Sequence, residues 1–285
     1  MLYRMPFTLS RLEKQAWLLV LVAGVWFITS KPDAFLSAAK ATYTQLSKKW
    51  QAYINSAAED PSWNKWDCAI QTIVNDYNKH LKDTKNFRPL DWQLIKALVW
   101  VESGAGSKEW NSRPMQIGVA NDPGLGALLK GSEGGELIVP THYQSTLTTS
   151  SAKVDPLHNL RAGVGYLLMR MAHFSHENEA SGDRPIEEVT VKKGDNFSLI
   201  AKKYDSTVQH LQALNPDIKI LQPGQTVKVQ AAHIKKTITD WRPLTTALMH
   251  ARYNGFGDSN YAQKLDYVIP IIKQGTPPRC PSLNT

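Results

Sequence analysis

Hydrophobic positions change their spacing several times along the chain, and each change marks a segment. Residues 15–30, QAWLLVLVAGVWFITS, form an uncharged run of 16 that follows Arg4, Arg11 and Lys14. The run is slightly short of the roughly 17–25 residues of a spanning helix, and Trp17 and Trp26 suit the two membrane interfaces. The small residues that mark signal cleavage come only at Ser37-Ala38-Ala39, after Lys31-Pro32-Asp33. The pattern therefore favours an uncleaved signal anchor at 15–30, with residues 1–14 cytoplasmic and the remainder exported by the positive-inside bias. A cleaved signal, or a buried helix of a soluble domain, are the alternatives. Residues 31–60 carry Phe35, Tyr43, Leu46, Trp50 and Tyr53 at loosely helical spacing and read as a stalk. Helical periodicity follows through CAIQTIVNDYNKHL and DWQLIKALVWVESG, the second started by Asp91 and stopped by Gly104. The Gly-, Pro- and Thr-rich stretch 118–157 reads as a long loop, HNLRAGVGYLLMRMAHF resumes the helical period, and HENEASGDRP breaks it.

From residue 187 to 230 the pattern is different. Short alternating strands at Val189–Val191 and Val227–Val229 enclose two amphipathic helical stretches, a βααβ unit of some forty residues. The turn Lys193-Gly194-Asp195, the helix bearing Ile200, Ala201 and Tyr204, then Leu211, Leu214, Asn215-Pro216, Leu221 and Pro223-Gly224-Gln225 closely resemble a LysM module. That resemblance implies binding of N-acetylglucosamine-containing glycans in a shallow groove lined by Asp195, Asn196, Asn215, Pro216 and Ile218. Thr is common in the family where this chain has Asn196. After the unit, AAHIKKTITD leads to further helical segments, TTALMHARYNGFG and SNYAQKLDYVIPIIKQ. The unit is thus expected to be inserted into a host domain made of 61–185 and 232–285.

Within the host, Ile95, Leu98, Val99 and Glu102 share one helical stripe, which places a carboxylate on an apolar face near a helix C-terminus. Low polarity and the negative end of the helix dipole both disfavour its ionisation, as a general acid near neutral pH requires. The catalytic acid of lysozyme is raised by the same physical device, an apolar pocket around a carboxyl. Pairing with a buried Arg, or capping of a loop amide, is the structural alternative.

Downstream motifs bear on that choice. Glu102-Ser103 is followed by Arg113-Pro114-Met115-Gln116-Ile117-Gly118, by Asn159-Leu160-Arg161-Ala162-Gly163 with Tyr166-Leu167, and by Arg252-Tyr253-Asn254-Gly255. In this order they resemble the soluble-lytic-transglycosylase type of catalytic domain, a mainly α, lysozyme-like fold of the goose-lysozyme relatives. The resemblance implies that Glu102 is the one catalytic acid and base, followed by Ser103. It implies that Met115 and Gln116 line the sugar site, that Tyr166 follows the Asn-x-x-x-Gly turn, and that Tyr253 and Asn254 close the cleft. Where the family usually has Gly-Leu before Met-Gln, this chain has Arg113-Pro114. Ordinary glycoside hydrolysis needs two carboxylates, and here only Glu102 falls in a motif; Glu109, Asp122, Glu133 and Glu136 carry no recognisable constellation. The resemblance therefore implies cleavage of peptidoglycan glycan strands with the substrate's own N-acetyl and C6 hydroxyl groups completing the reaction to a 1,6-anhydro product. A hydrolytic muramidase, or an idle wall-binding scaffold, are the alternatives. Trp100 and Trp110 flank Glu102 and are candidates for stacking on sugar rings.

Composition narrows the partners. With 33 Lys and Arg against 25 Asp and Glu the chain carries +8, compatible with anionic wall and membrane surfaces, and its scattered Lys pairs lack the aromatic interleaving of a nucleic-acid site. His173 and His176 lie at i,i+3, but HExxH does not occur, so no metal or other cofactor is expected. The two cysteines, Cys68 and Cys280, are too far apart in sequence for a CxxC pair and suit one long-range disulfide outside the cytoplasm. The expected fold class is α+β: a lysozyme-like domain, an inserted module and an N-terminal transmembrane helix. The expected partners are peptidoglycan, the cytoplasmic membrane and envelope or secretion machinery.

Overall fold

The helix that carries Glu102 is delimited by its own sequence. In the computed structural model, which describes residues 46–120, 122–131, 133–278 and 280, Asp91 caps it by accepting from the Gln93 amide at 2.9 Å. At the other end Gly104, at φ +67°, leaves the helix, and a Cβ there would meet the Trp63 ring at 2.8 Å. The helix spans Trp92–Glu102. Ile95, Ala97, Leu98 and Val99 within it are fully buried, so it is a central helix and not a surface one. The expectations for 1–14, for the anchor at 15–30 and for residues 31–45 of the stalk lie outside the described residues; among the described residues no helix is long and apolar enough to cross a membrane.

The main helices are α1 (Lys48–Ala57), α2 (Asp67–Leu81), α3 (Trp92–Glu102), α4 (Pro156–Met171) and, after the insertion, α7 (Tyr261–Gln274). α3 packs between α2 and α7, and α4 lies on α2. α1 corrects the stalk: Ile54 and Ala57 are buried in the same core, and Tyr53 meets Trp63 edge-on at 5.2 Å. Its apolar residues find partners in the domain, so this end of the expected stalk belongs to the fold. Residues 118–157 also differ from expectation. They fold as short helices at Gly124–Leu129, Gly135–Ile138, Thr141–Gln144 and Ser151–Val154, with Leu125, Leu128, Ile138, Tyr143 and Leu147 buried. Gly135 permits this packing, because a Cβ there would lie 1.8 Å from the Leu128 carbonyl oxygen.

The helical period of α4 stops at Met171. Ala172–Ala180 (β1) pairs antiparallel with Ala232–Trp241 (β4), from Ala172↔Trp241 to Ala180↔Ala232 with a bulge between His173 and Phe174. Sequence periodicity carries the helix through Phe174 and places no strand on either side of the insertion. The ribbon is too polar for a period-2 signal; its β-branched run Thr237-Ile238-Thr239 is the one cue that it offers. Between its strands stand β2 (Glu187–Thr190), α5 (Phe197–Lys203), α6 (Val208–Leu214) and β3 (Thr226–Val229), with Val189 opposite Val227. This unit has its own core of Val191, Ile200, Ala201, Leu211, Val227 and Val229. The architecture is α+β, with the small unit held on the ribbon.

Cys68 on α2 and Cys280 beyond α7 form a disulfide with Cα atoms 5.3 Å apart, closing a separation of 212 residues. A cross-link over so long a loop restricts the unfolded chain strongly. We expect Cys68→Ser to lower unfolding free energy by about 2–5 kcal/mol. Urea titrations with and without reductant check this: equal midpoints for oxidised and reduced protein would refute it.

Candidate active site

Glu102 is the last residue of α3, and its neighbour Ser103 fixes what lies opposite. The Ser103 hydroxyl lies 2.9 Å from the Pro114 carbonyl and 3.2 Å from that of Val99, tying the helix end to the Arg113–Gly118 loop. That loop is pinned from the far side by Asn159, fully buried on α4. Asn159 accepts from the Met115 amide at 3.0 Å and donates to the carbonyls of Ile117 (3.0 Å) and Ala152 (2.8 Å). Met115 points inward against Gly163, where a Cβ would come within 2.5 Å of its sulfur. Its contribution to the site is therefore its backbone. Gln116 adopts φ +53°, an uncommon conformation for a non-glycine residue, at the turn beside Glu102's helix end. Its side-chain amide makes no hydrogen bond among the described residues.

Two tyrosines meet this frame. The Tyr253 hydroxyl donates to the Met115 carbonyl at 2.8 Å, and its ring lies 5.7 Å from that of Tyr166. Tyr166 in turn packs where Gly124 has no side chain. The Tyr261 hydroxyl, at the start of α7, donates to Glu102 Oε1 at 2.5 Å. The motif reading missed Tyr261. A signal was present: Tyr261, Leu265, Val268 and Ile272 form one buried stripe of α7, and a hydroxyl on such a stripe needs an acceptor. Asn254 does not face Glu102 through any hydrogen bond among the described residues. Its Oδ1 accepts from the Asp258 amide at 2.9 Å and shapes the turn after a single π-helical turn at His250–Asn254.

Burial pushes the Glu102 carboxyl up to about 7. The Tyr261 hydrogen bond opposes that rise, the charges of Asp258 and Asp122 add to it and Lys264 subtracts from it. Burial, reinforced by Glu102's charge, also pushes Tyr253 and Tyr261 well above the ordinary tyrosine range, so both stay neutral donors. The two nearby carboxylates are committed elsewhere. Asp122 accepts from the amides of Gly118 (2.9 Å) and Gly124 (2.8 Å). Burial raises Asp258, but Lys264 at 2.6 Å and the Asn260 amide outweigh it and hold that carboxyl below its usual range. The arrangement is one carboxyl poised to give and take a proton near neutrality, beside fixed hydroxyl and amide groups. Trp100 and Trp110 are corrected by the structure. Both are buried, packed on Trp63 at 4.9 and 5.9 Å, with their indoles facing the interior and not a sugar. Among the described residues no group of three His, Cys, Asp or Glu side chains is arranged to hold a metal ion.

The inserted βααβ unit has two paired strands, two capped helices and a separate core. Residues 189–230 match the family model for the LysM domain. Comparison of the chain with curated proteins and with solved structures finds no match. In the LysM unit Asp195 accepts from the Lys192 amide and closes the Lys192–Asp195 turn, and Asn196 caps α5 by accepting from the Leu199 amide. Both stand at the strand–helix turn. Pro216 is exposed on the loop after α6, while Ile218 is part-buried against the module core. Asn215 differs from the groove role expected of it. It is buried, and its amide bonds Leu211 O, Lys228 O and Lys228 N at 2.7, 2.8 and 2.9 Å. Its polar atoms hold β3 to α6 and leave little for a ligand.

A raised carboxyl has a thermodynamic consequence. Folded Glu102 holds its proton to about pH 7 and the unfolded residue only to about 4.5, so the folded state loses stability as pH rises through that window. Replacing it by Gln, which still accepts from Tyr261, should leave stability unchanged below pH 4.5 and raise it by at most about 3 kcal/mol above pH 7. Denaturant unfolding of both proteins at pH 4 and pH 8 reads the difference; an equal offset at the two pH values would dismiss the raised carboxyl.

Proposed function

We propose that this protein cleaves the glycan strands of peptidoglycan as a lytic transglycosylase, with Glu102 as general acid and then general base. The observation that carries the reading is the part-buried Glu102 carboxyl at the end of α3, hydrogen-bonded by Tyr261 and pushed up to about 7 by desolvation. The LysM domain supports the substrate class, because it indicates binding to peptidoglycan or a related carbohydrate. The motif resemblance supplies the rest. Protonated Glu102 delivers its proton to the glycosidic oxygen that leaves N-acetylmuramic acid. The resulting carboxylate takes the proton of that sugar's C6 hydroxyl, which closes the 1,6-anhydro ring. The proton lost in the first step is regained in the second, so one carboxyl serves both. Tyr253 and Ser103 hold the Met115–Gln116 turn against which the sugar rests, and Tyr166 extends that wall. Commitment of Asp122 and Asp258 to backbone amides and Lys264 favours this one-carboxyl route over hydrolysis.

The reading places the catalytic and LysM domains outside the cytoplasm, in keeping with a Cys68–Cys280 disulfide. The N-terminal apolar segment would anchor them to the bacterial inner membrane, beside the wall and any envelope machinery that needs it opened.

Digestion of purified sacculi tests the reaction. The wild type should release 1,6-anhydromuramyl ends, and Glu102→Gln should lose about 10²–10⁴-fold in rate while still binding sacculi. Reducing ends alone would identify a hydrolytic muramidase, and binding without cleavage by either protein would identify a scaffold. Cleavage should fall as pH rises through about 7, because the first step needs the protonated acid. In Tyr261→Phe the carboxylate loses its stabilising donor, so that falling limb should move to higher pH; a limb that stays in place or moves down would exclude Tyr261 from tuning the acid.

A further inference from the structure

Arginines gather beyond the Tyr166–Tyr253 end of the site. Arg170 follows Tyr166 by one helical turn on the same face of α4, and Arg252 precedes Tyr253. Arg170 Nε reaches the Arg252 carbonyl at 3.4 Å, and Arg242 Nη1 lies 2.6 Å from the Ala172 carbonyl and 3.4 Å from that of Arg170. Arg242 Nη2 faces His173 Nδ1 at 3.2 Å. Partial burial, together with the charges of Arg252 and Arg170, holds Arg242 below the ordinary guanidinium range. Against the three cations, one carboxylate among the described residues comes within ion-pair distance: Glu133, 3.3 Å from Arg170 and half exposed. The Arg252 guanidinium makes no hydrogen bond or ion pair among the described residues.

Arg242 also lines a cavity of about 850 Å³, near the end of α3 opposite Glu102. That volume lies within the range of small-molecule and peptide pockets, roughly 300–1,000 Å³. Its walls include the edge-on pair Phe87–Trp241, Leu168 and Met171, and its rim carries Arg88, whose guanidinium is likewise unpaired among the described residues. Asp91 and Asp240 stand on the same wall. Uncompensated guanidinia call for carboxylate or phosphate, but two acids on the wall repel a polyphosphate. Apolar surface with charges of both signs fits a short peptide.

We propose that Arg252, Arg170, Arg242 and the adjoining cavity bind the carboxylate-bearing peptide carried on the lactyl group of the glycan, so that the protein selects peptide-bearing strands over stripped ones. The proposal rests on the glycan-cleaving reading for its substrate, and its test is independent of cleavage. The probes are a GlcNAc–MurNAc disaccharide with its peptide and the same disaccharide without it. Neither contains a MurNAc–GlcNAc bond, so neither is consumed, and glycan binding by the LysM domain is common to both. Calorimetric titration should show about tenfold tighter binding of the peptide-bearing probe to the full wild-type chain. The preference should vanish in Arg252→Gln/Arg88→Gln and persist in Arg252→Lys, with thermal unfolding confirming that each variant is folded. Equal affinity of the wild type for the two probes overturns the proposal, as does a preference that survives in the double variant or a tighter grip on inorganic polyphosphate than on the peptide. A wild type that prefers the peptide probe yet releases no product from sacculi removes the catalytic reading and leaves the peptide site standing.

Discussion

The hydrogen bond from Tyr261 to Glu102 joins the two requirements that this fold has to reconcile. α3 is buried because its residues are apolar on nearly every face, yet its last residue is a carboxylic acid at the negative end of the helix dipole. Without a partner that carboxyl is a large cost. α7 supplies the partner from a stripe that is otherwise apolar, and the packing of α7 along α3 sets where the hydroxyl falls. The disulfide ties the chain beyond α7 back to α2, on the other side of α3. The segment that follows α7 is therefore fastened across the helix whose terminus α7 serves.

The opposite wall of the site is held by a different logic. Asn159 places three hydrogen bonds into the backbone of neighbouring segments, two of them on the Met115–Ile117 turn, from complete burial. A buried amide with all of those bonds made is rigid, because each lost bond exposes a polar group to a dry interior. That rigidity holds Gln116 at positive φ, a conformation that a free loop would relax. Strain at the turn and full satisfaction beneath it are two sides of one arrangement.

Legibility from sequence followed the physics of each segment. The start of α3 at Asp91 and its end before Gly104 were readable because capping and glycine are local signals. The βααβ unit was readable because short alternating strands and amphipathic helices follow one another over forty residues. The ribbon was not: His233, Lys235 and Glu179 make a solvated surface with cross-strand pairs, and no hydrophobic alternation survives there. Residues 118–157 look like a loop because Gly, Pro and Thr recur through them, while the burial of Leu125, Leu128 and Ile138 depends on close backbone approach that only the assembled fold reveals. Glu102 was legible from its stripe; Tyr261 was not, since a tyrosine among apolar residues has an acceptor somewhere, and sequence spacing does not say where. Asn215 sat at the right place in its motif, but its position there reflects backbone bonding inside the module.

The insertion and the arginines meet at one place in the fold. The overall +8 charge is not evenly placed: the end of α4 and the segment that leaves β4 carry guanidinia with one acidic partner among the described residues, whereas the ribbon's Lys235 is matched by Glu179. Charge that is neutralised within the fold contributes to solubility and little else; charge left unmatched beside a concave surface attracts a counter-ion. The ribbon that carries the LysM unit begins at Ala172, one residue after α4, and ends at Trp241, against Arg242. The LysM unit is therefore attached to the host at the arginine cluster itself.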